Sequence, residues 1–259
     1  MVSNAIITGI INLGLFWLLV ALRRLVHRER LCSFLLHGDA SGRRLFLKGA
    51  TLGLLSFAAY PIIVVLFGQG QFGTNVDGLL ATIASTIAWG VGFLPVALFE
   101  EALFRGYLLQ KLSVRSPQWV AVVLPSLLFG ALHAGSYGSS SNVWLGLLNA
   151  FFFGVALSLV VIRSESLMWA VGFHWAWNIA QEVLLSQPSA EVNGLFNLRV
   201  REGLWTGAHL CPETGLIETV IVVLLGASIV LWFGQTNPAA GPRVRIGVQA
   251  STDEKRTLG

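Results

Sequence analysis

Leu98-Phe99-Glu100-Glu101-Ala102-Leu103-Phe104-Arg105-Gly106 closes an apolar run that begins near residue 79. Two adjacent carboxylates and an arginine are expensive there. Each charge near the middle of a spanning helix costs about 2.5–3.5 kcal/mol on insertion scales, so an ionisable residue in such a place is read first as a functional one. Glu101 and Arg105 are four apart, share a helix face and can pair. Glu100 is turned about 100° away and has no partner on its own helix.

The rest of the chain has the same character. Of 259 residues, 54% are apolar and 12% charged, against about 25% charged in soluble domains. So little polar surface demands lipid contact. Apolar runs fall at about 4–22, 46–68, 79–104, 119–135, 143–162, 167–185 and 215–233. At about 20 residues per crossing they predict an all-α, polytopic membrane helix bundle of about seven transmembrane helices. Ile6 to Leu22 is followed, not preceded, by Arg23-Arg24, so it reads as a spanning helix rather than a cleaved signal. The expected organisation is an N-terminal hairpin with a basic loop over 1–78 and a core over 79–185. An external loop and last helix follow over 186–233, then a disordered Pro/Gly-rich and charged tail over 234–259. Cys32 and Cys211 fall in loops on opposite sides and cannot pair with each other.

Charge tests the segmentation. With the N-terminus outside, eleven basic residues from Arg23 to Arg163 face the cytoplasm and the tail adds Arg243, Arg245, Lys255 and Arg256; only Arg199 and Arg201 remain outside, a split of 15 to 2. This is the positive-inside pattern, with an external N-terminus and a cytoplasmic C-terminus. The basic residues make no cluster on a soluble face, which excludes a nucleic-acid partner. Arginine outnumbers lysine 14 to 3, which points to the inner membrane of a GC-rich bacterium.

Two further polar clusters interrupt the apolar runs: Phe129-Gly-Ala-Leu-His133, and His174-Trp-Ala-Trp-Asn178 with His and Asn one turn apart on one face. Asn149 and Glu182 are candidates for the same cavity, although helix-end solvation and interhelical hydrogen bonding account for each as well. Counting 1.5 Å per residue from the turn near Arg115 puts Glu100 and His133 level with each other, roughly 23–27 Å above it. His174 stands roughly 13 Å above the next turn, near Glu165. The depths agree if the first hairpin projects some 10 Å into the cytosol, which places the site inside the membrane, nearer the cytoplasmic face.

A carboxylate without a partner, in a dry cavity beside a histidine, suits a general base. His174 and Asn178 are donors of the right type for an oxyanion. Glu100 and His133 would activate water for peptide-bond hydrolysis, and Glu101 with Arg105 would hold the helix and orient Glu100. There is no His-Glu-x-x-His zinc motif and no Gly-x-Gly-Asp pair of intramembrane aspartates. Ser136 is a weak nucleophile candidate that leaves both glutamates unexplained.

Glu100-Glu101-x-x-x-Arg105, Phe129-x-x-x-His133 and His174-x-x-x-Asn178, in this order on apolar helices, resemble the three motifs of the CPBP family. That family comprises type II CAAX-prenyl endopeptidases (Rce1-like) and bacteriocin-processing Abi proteins, and the resemblance covers roughly residues 79–185. It implies an all-helical intramembrane glutamate protease acting on a membrane-anchored protein or peptide, a type often labelled a metalloprotease. By motif match Glu100 is the base, Glu101 pairs with Arg105, and His133, His174 and Asn178 line the catalytic cavity. No cofactor or metal is favoured. The alternatives are a zinc-dependent version, with Glu100, His133 and His174 as a His₂Glu ligand set, and a non-catalytic membrane immunity or scaffold protein that keeps the polar cluster as helix–helix glue. Proton transport is disfavoured, because no inverted repeat is visible.

Overall fold

The computed structural model describes residues 2–28, 34–74, 79–138, 142–181, 196–208 and 211–236. The helices are α1 (Val2–His27), α2 (Ala40–Leu66), α3 (Leu79–Leu103), α4 (Gln110–Arg115), α5 (Gln118–Leu132), α6 (Val143–Ser164), α7 (Leu167–Ile179) and α8 (Leu216–Thr236). A π-helical stretch, Phe104–Leu109, carries α3 into α4 without a break. The architecture is an all-α membrane bundle.

Its surface shows why. α1 turns Ile6, Ile7, Ile10, Ile11 and Leu18 outward, and α8 does the same with Leu224 and Leu231. Apolar side chains in such numbers belong against lipid, not water. Among the described residues, five helices are long and apolar enough to cross a membrane: Ser3–Val26, Ala40–Leu66, Leu80–Arg115, Gln118–Tyr137 and Val143–Ser164. α8 contributes a shorter apolar helix, Leu216–Trp232. α7 is described as a helix over 13 residues.

One element went unforeseen. β1 (Gly70–Thr74) pairs antiparallel with β2 (Phe196–Val200), with Gly70 opposite Val200 and Thr74 opposite Phe196. The pairing joins the loop after α2 to the loop before α8, so both lie at one end of the bundle.

The site-bearing helices are held by close packing. α7 lies against α2 and α3, and α6 lies against α5 and α8. At the α2–α7 contact a Cβ on Gly49 would strike the Trp169 carbonyl, and one on Gly172 would strike the Phe46 carbonyl. Glycine lets the two backbones meet, the usual device where helices pack within a membrane. Trp169, Phe173 and Trp177 stack in sequence along α7, with ring centroids 5.8 and 5.7 Å apart. Arg23 of α1 is buried and donates to the Gly106 carbonyl of the π-helical stretch at 2.6 Å. Cys32, residues 182–195 with Glu182 among them, and the tail from residue 237 lie outside the described residues.

Candidate active site

Glu100 and Glu101 sit near the end of α3, where the helical rotation between neighbours sends them to different surroundings. Glu101 is fully buried, 0% exposed. Arg105, 1% exposed, donates from Nη1 to Glu101 Oε1 at 2.9 Å and from Nη2 to the Gly154 carbonyl of α6 at 3.1 Å. Its guanidinium lies 4.8 Å from the Phe129 ring centroid. The four-residue spacing thus delivers the expected pair, and the arginine also ties α3 to α6.

His174 projects from the middle of α7 and is almost wholly buried. Its Nδ1 stands 2.9 Å from Glu101 Oε1. A carboxylate oxygen only accepts, so Nδ1 carries the proton. His133 is the C-cap residue of α5, and its Nδ1 lies 2.8 Å from the Phe129 carbonyl, again an acceptor. Both imidazoles are therefore anchored through Nδ1–H and present Nε2 to the same place. His133 Nε2 and His174 Nε2 each lie 3.8 Å from Glu100 Oε2, an inaccessible oxygen with no hydrogen-bond partner among the described residues.

Phe129 serves three neighbours. Its carbonyl fixes His133, and its ring backs His133 at 4.3 Å, His174 at 6.0 Å and Arg105. Phe153 of α6 completes the apolar wall, 5.6 Å from the His174 ring.

Asn178, one turn beyond His174, lines the adjoining cavity together with His133, His174, Tyr137 and Trp177. Asn149 lines it too, and its amide also spans helices, donating to the Glu213 and Gly215 carbonyls at 2.7 and 3.3 Å. The structure thus joins Glu100, Glu101, Arg105, His133 and His174 in one network, with Asn178 beside it. Ser136 is exposed and apart from this cavity, although its carbonyl accepts from the Cys211 thiol at 3.6 Å.

Glu100 and His133 are level, as the residue count expected, but the cavity is not placed toward the Ser116 turn. α5 stops at Leu132, so His133 sits at its far end, and the lining residues Tyr137, Gln181 and Glu213 belong to that same end of the bundle. A 15-residue α5 makes His133 a terminal residue, in keeping with its place at the end of the fourth apolar run. Glu213 and Glu218, also in the lining, were not anticipated. Glu218 stands alone in the last apolar run, and the rule that singled out Glu100 applies to it equally.

Fold and network together define an integral membrane protein with a carboxylate–histidine centre buried among its helices. Residues 82–180, which hold all six candidate residues, match the family described as type II CAAX prenyl endopeptidase Rce1-like. The match covers this core and supports kinship with that family, whose description is of a prenyl endopeptidase. No curated protein and no solved structure matches the chain.

Proposed function

We propose that the protein is an intramembrane endopeptidase in which Glu100 activates water for attack on a peptide bond of a membrane-anchored protein or peptide. The observation that carries the reading is the convergence of two Nε2 atoms on Glu100 Oε2, each at 3.8 Å. With both Nδ1 positions committed as donors, three acceptors face one another. Acceptors do not bond to acceptors, so the space calls for a proton donor or a cation. A water meets the need by donating one hydrogen to Glu100 and one to an imidazole, leaving its lone pairs for a carbonyl carbon. Glu100 takes the proton as the bond forms and returns it to the departing amine. The Asn178 amide is a donor for the oxyanion, and His174 joins it whenever its imidazole is doubly protonated. Glu101 and Arg105 act through His174 and position it.

The substrate class accords with the prenyl endopeptidases for which the family is described. The setting we favour is a bacterial inner membrane with the N-terminus outside. The experiment is proteolysis in lipid by wild type and Glu100→Gln against a library of apolar peptides. Cleavage by the wild type alone supports the reading; an inert wild type favours the immunity or scaffold alternative.

A zinc-dependent version is the second reading, favoured by the same convergence. The donor types fit, and anchored Nδ1–H groups are what metal-bound histidines use. Two observations weigh against it. Donor atoms around tetrahedral zinc, with bonds of about 2.0–2.1 Å, lie roughly 3.4 Å apart, whereas both separations here are 3.8 Å. Glu101 Oε1 is already taken by Arg105 and His174, so once Glu100 binds metal the base must come from elsewhere in the cavity. Elemental analysis of the active protein separates the two: stoichiometric zinc, with activity lost on removal and restored on re-addition, establishes the zinc version.

A further inference from the structure

The cavity beside the histidines holds a second acidic group that the hydrolytic scheme does not use. Glu213 stands in the short turn Pro212–Thr214, and Glu218 in the first turn of α8. Both line the same cavity as His133, His174 and Asn178. Glu218 is 1% exposed, and neither of its carboxyl oxygens has a hydrogen-bond partner among the described residues. Asn149, 2% exposed, spends its amide hydrogens on the Glu213 and Gly215 carbonyls, and Oδ1 has no donor among the described residues. Gln181 Nε2 donates to Glu213 Oε1 and so fixes that carboxylate at the cavity wall. No lysine or arginine is among the lining residues.

Three buried oxygens lacking donors, two of them on a carboxyl group with a second carboxylate nearby, are costly unless something with N–H groups and positive charge meets them. We propose that this half of the cavity is a cation subsite, which binds the ammonium or guanidinium of a substrate residue close to the scissile bond. The inference rests on the peptidase reading and deepens it. An apolar substrate segment alone would leave Glu218 and Asn149 unsatisfied. A basic group satisfies both and places its backbone beside the Glu100–His133–His174 centre. The group comes from a Lys or Arg side chain or from a free N-terminus; the chemistry is shared, and the test separates the sources.

The test uses the full chain in lipid nanodiscs and measures retention of an apolar peptide pool. Each peptide is present with arginine and with its neutral isostere citrulline, and with a free and an acetylated N-terminus. Wild type should retain one charged form at least about tenfold over its neutral twin, as hydrogen bonds to a charged group allow. Whichever pair shows the preference names the source. Glu218→Gln should bring the ratio to within about twofold, with Glu213→Gln reducing it in part. Equal retention of charged and neutral forms by wild type overturns the proposal without reference to any variant. An undiminished ratio in Glu218→Gln overturns it too, and if that variant does not fold, Glu213→Gln is read in its place. The same pool, incubated with wild type and analysed for fragments, judges the parent reading separately. Cleavage without charge preference removes the subsite and leaves the peptidase; charge preference without cleavage does the reverse.

Discussion

His174 Nδ1 and Arg105 Nη1 meet at one atom, Glu101 Oε1, each at 2.9 Å. That oxygen ties α7 to the end of α3 across 73 positions of sequence. The neighbouring Glu100 takes no part in the tie, and its Oε2 faces the two Nε2 atoms. Adjacent glutamates thereby differ: one is bound by donors and holds the frame, while the Oε2 of the other meets no donor among the described residues.

Arg105→Ala should lower the amount of folded protein as well as activity. Breaking a buried pair by removing one partner costs about 3–5 kcal/mol, because the other charge stays behind. Here the Gly154 carbonyl loses a donor too. Adding Glu101→Gln removes the stranded charge, and membrane abundance should recover in part. A double variant no more abundant than Arg105→Ala alone would show that the two residues are not coupled.

The two histidines should separate stability from turnover. Replacing either by alanine should cut turnover by about a hundredfold or more, the scale of a lost acid–base partner. His174 is 5% exposed and holds Glu101, whereas His133 is 29% exposed and bonds only its own helix turn. His174→Ala should therefore also destabilise by about 1–3 kcal/mol, the cost of leaving a buried acceptor short of a donor, and His133→Ala by less. Thermal unfolding in detergent measures the difference; equal melting shifts would remove the distinction drawn between them.

The membrane class, and the six candidate residues that the structure brings near one another, were legible because both depend on local rules. Apolar run length reports crossings, and a charge inside such a run reports a role. Glu101 with Arg105, and His174 with Asn178, share faces through four-residue spacing alone. Three features were not legible. The β1 strand reads Gly70-Gln-Phe-Gly-Thr74 and lacks the apolar alternation that announces a strand. The end of α5 at Leu132 is not marked by any break in apolar character before His133, so the exact helix boundary could not be read. Glu213 reaches the cavity through contacts such as the one Asn149 makes with its carbonyl, 64 positions distant, and no periodicity encodes that.

The α2–α7 contact should tolerate no side chain. Gly172→Ala puts a methyl into the Phe46 carbonyl, and the helix carrying His174 must then shift. Overpacking of this kind costs about 1–3 kcal/mol, and a shift of a few tenths of an ångström at His174 should reduce turnover further. Size-exclusion behaviour and activity of the purified variant check this. A fully active, equally stable Gly172→Ala would mean that the backbones do not approach so closely.

Orientation is open to direct test. Alkaline-phosphatase fusions after Gly70 or Ser139 should be active and a fusion after Ser113 inactive, since the charge split puts the first two sites outside. With that orientation the β1–β2 loops and the cavity end of the bundle face outward. The opposite pattern of activities would turn the cavity toward the cytoplasm.

The central claim is that Glu100 is the base of a peptide hydrolysis. Its most direct measurement is the rate of fragment release from a cleaved peptide in lipid by wild type, Glu100→Asp and Glu100→Gln at matched amounts of folded protein. Glu100→Gln keeps the shape and loses the base, so release should fall at least about a hundredfold. Glu100→Asp draws the carboxylate back by one methylene from the 3.8 Å convergence and should also lose most turnover. Release by Glu100→Gln within about threefold of wild type would contradict the account, because the remaining groups would then be hydrolysing the bond without it.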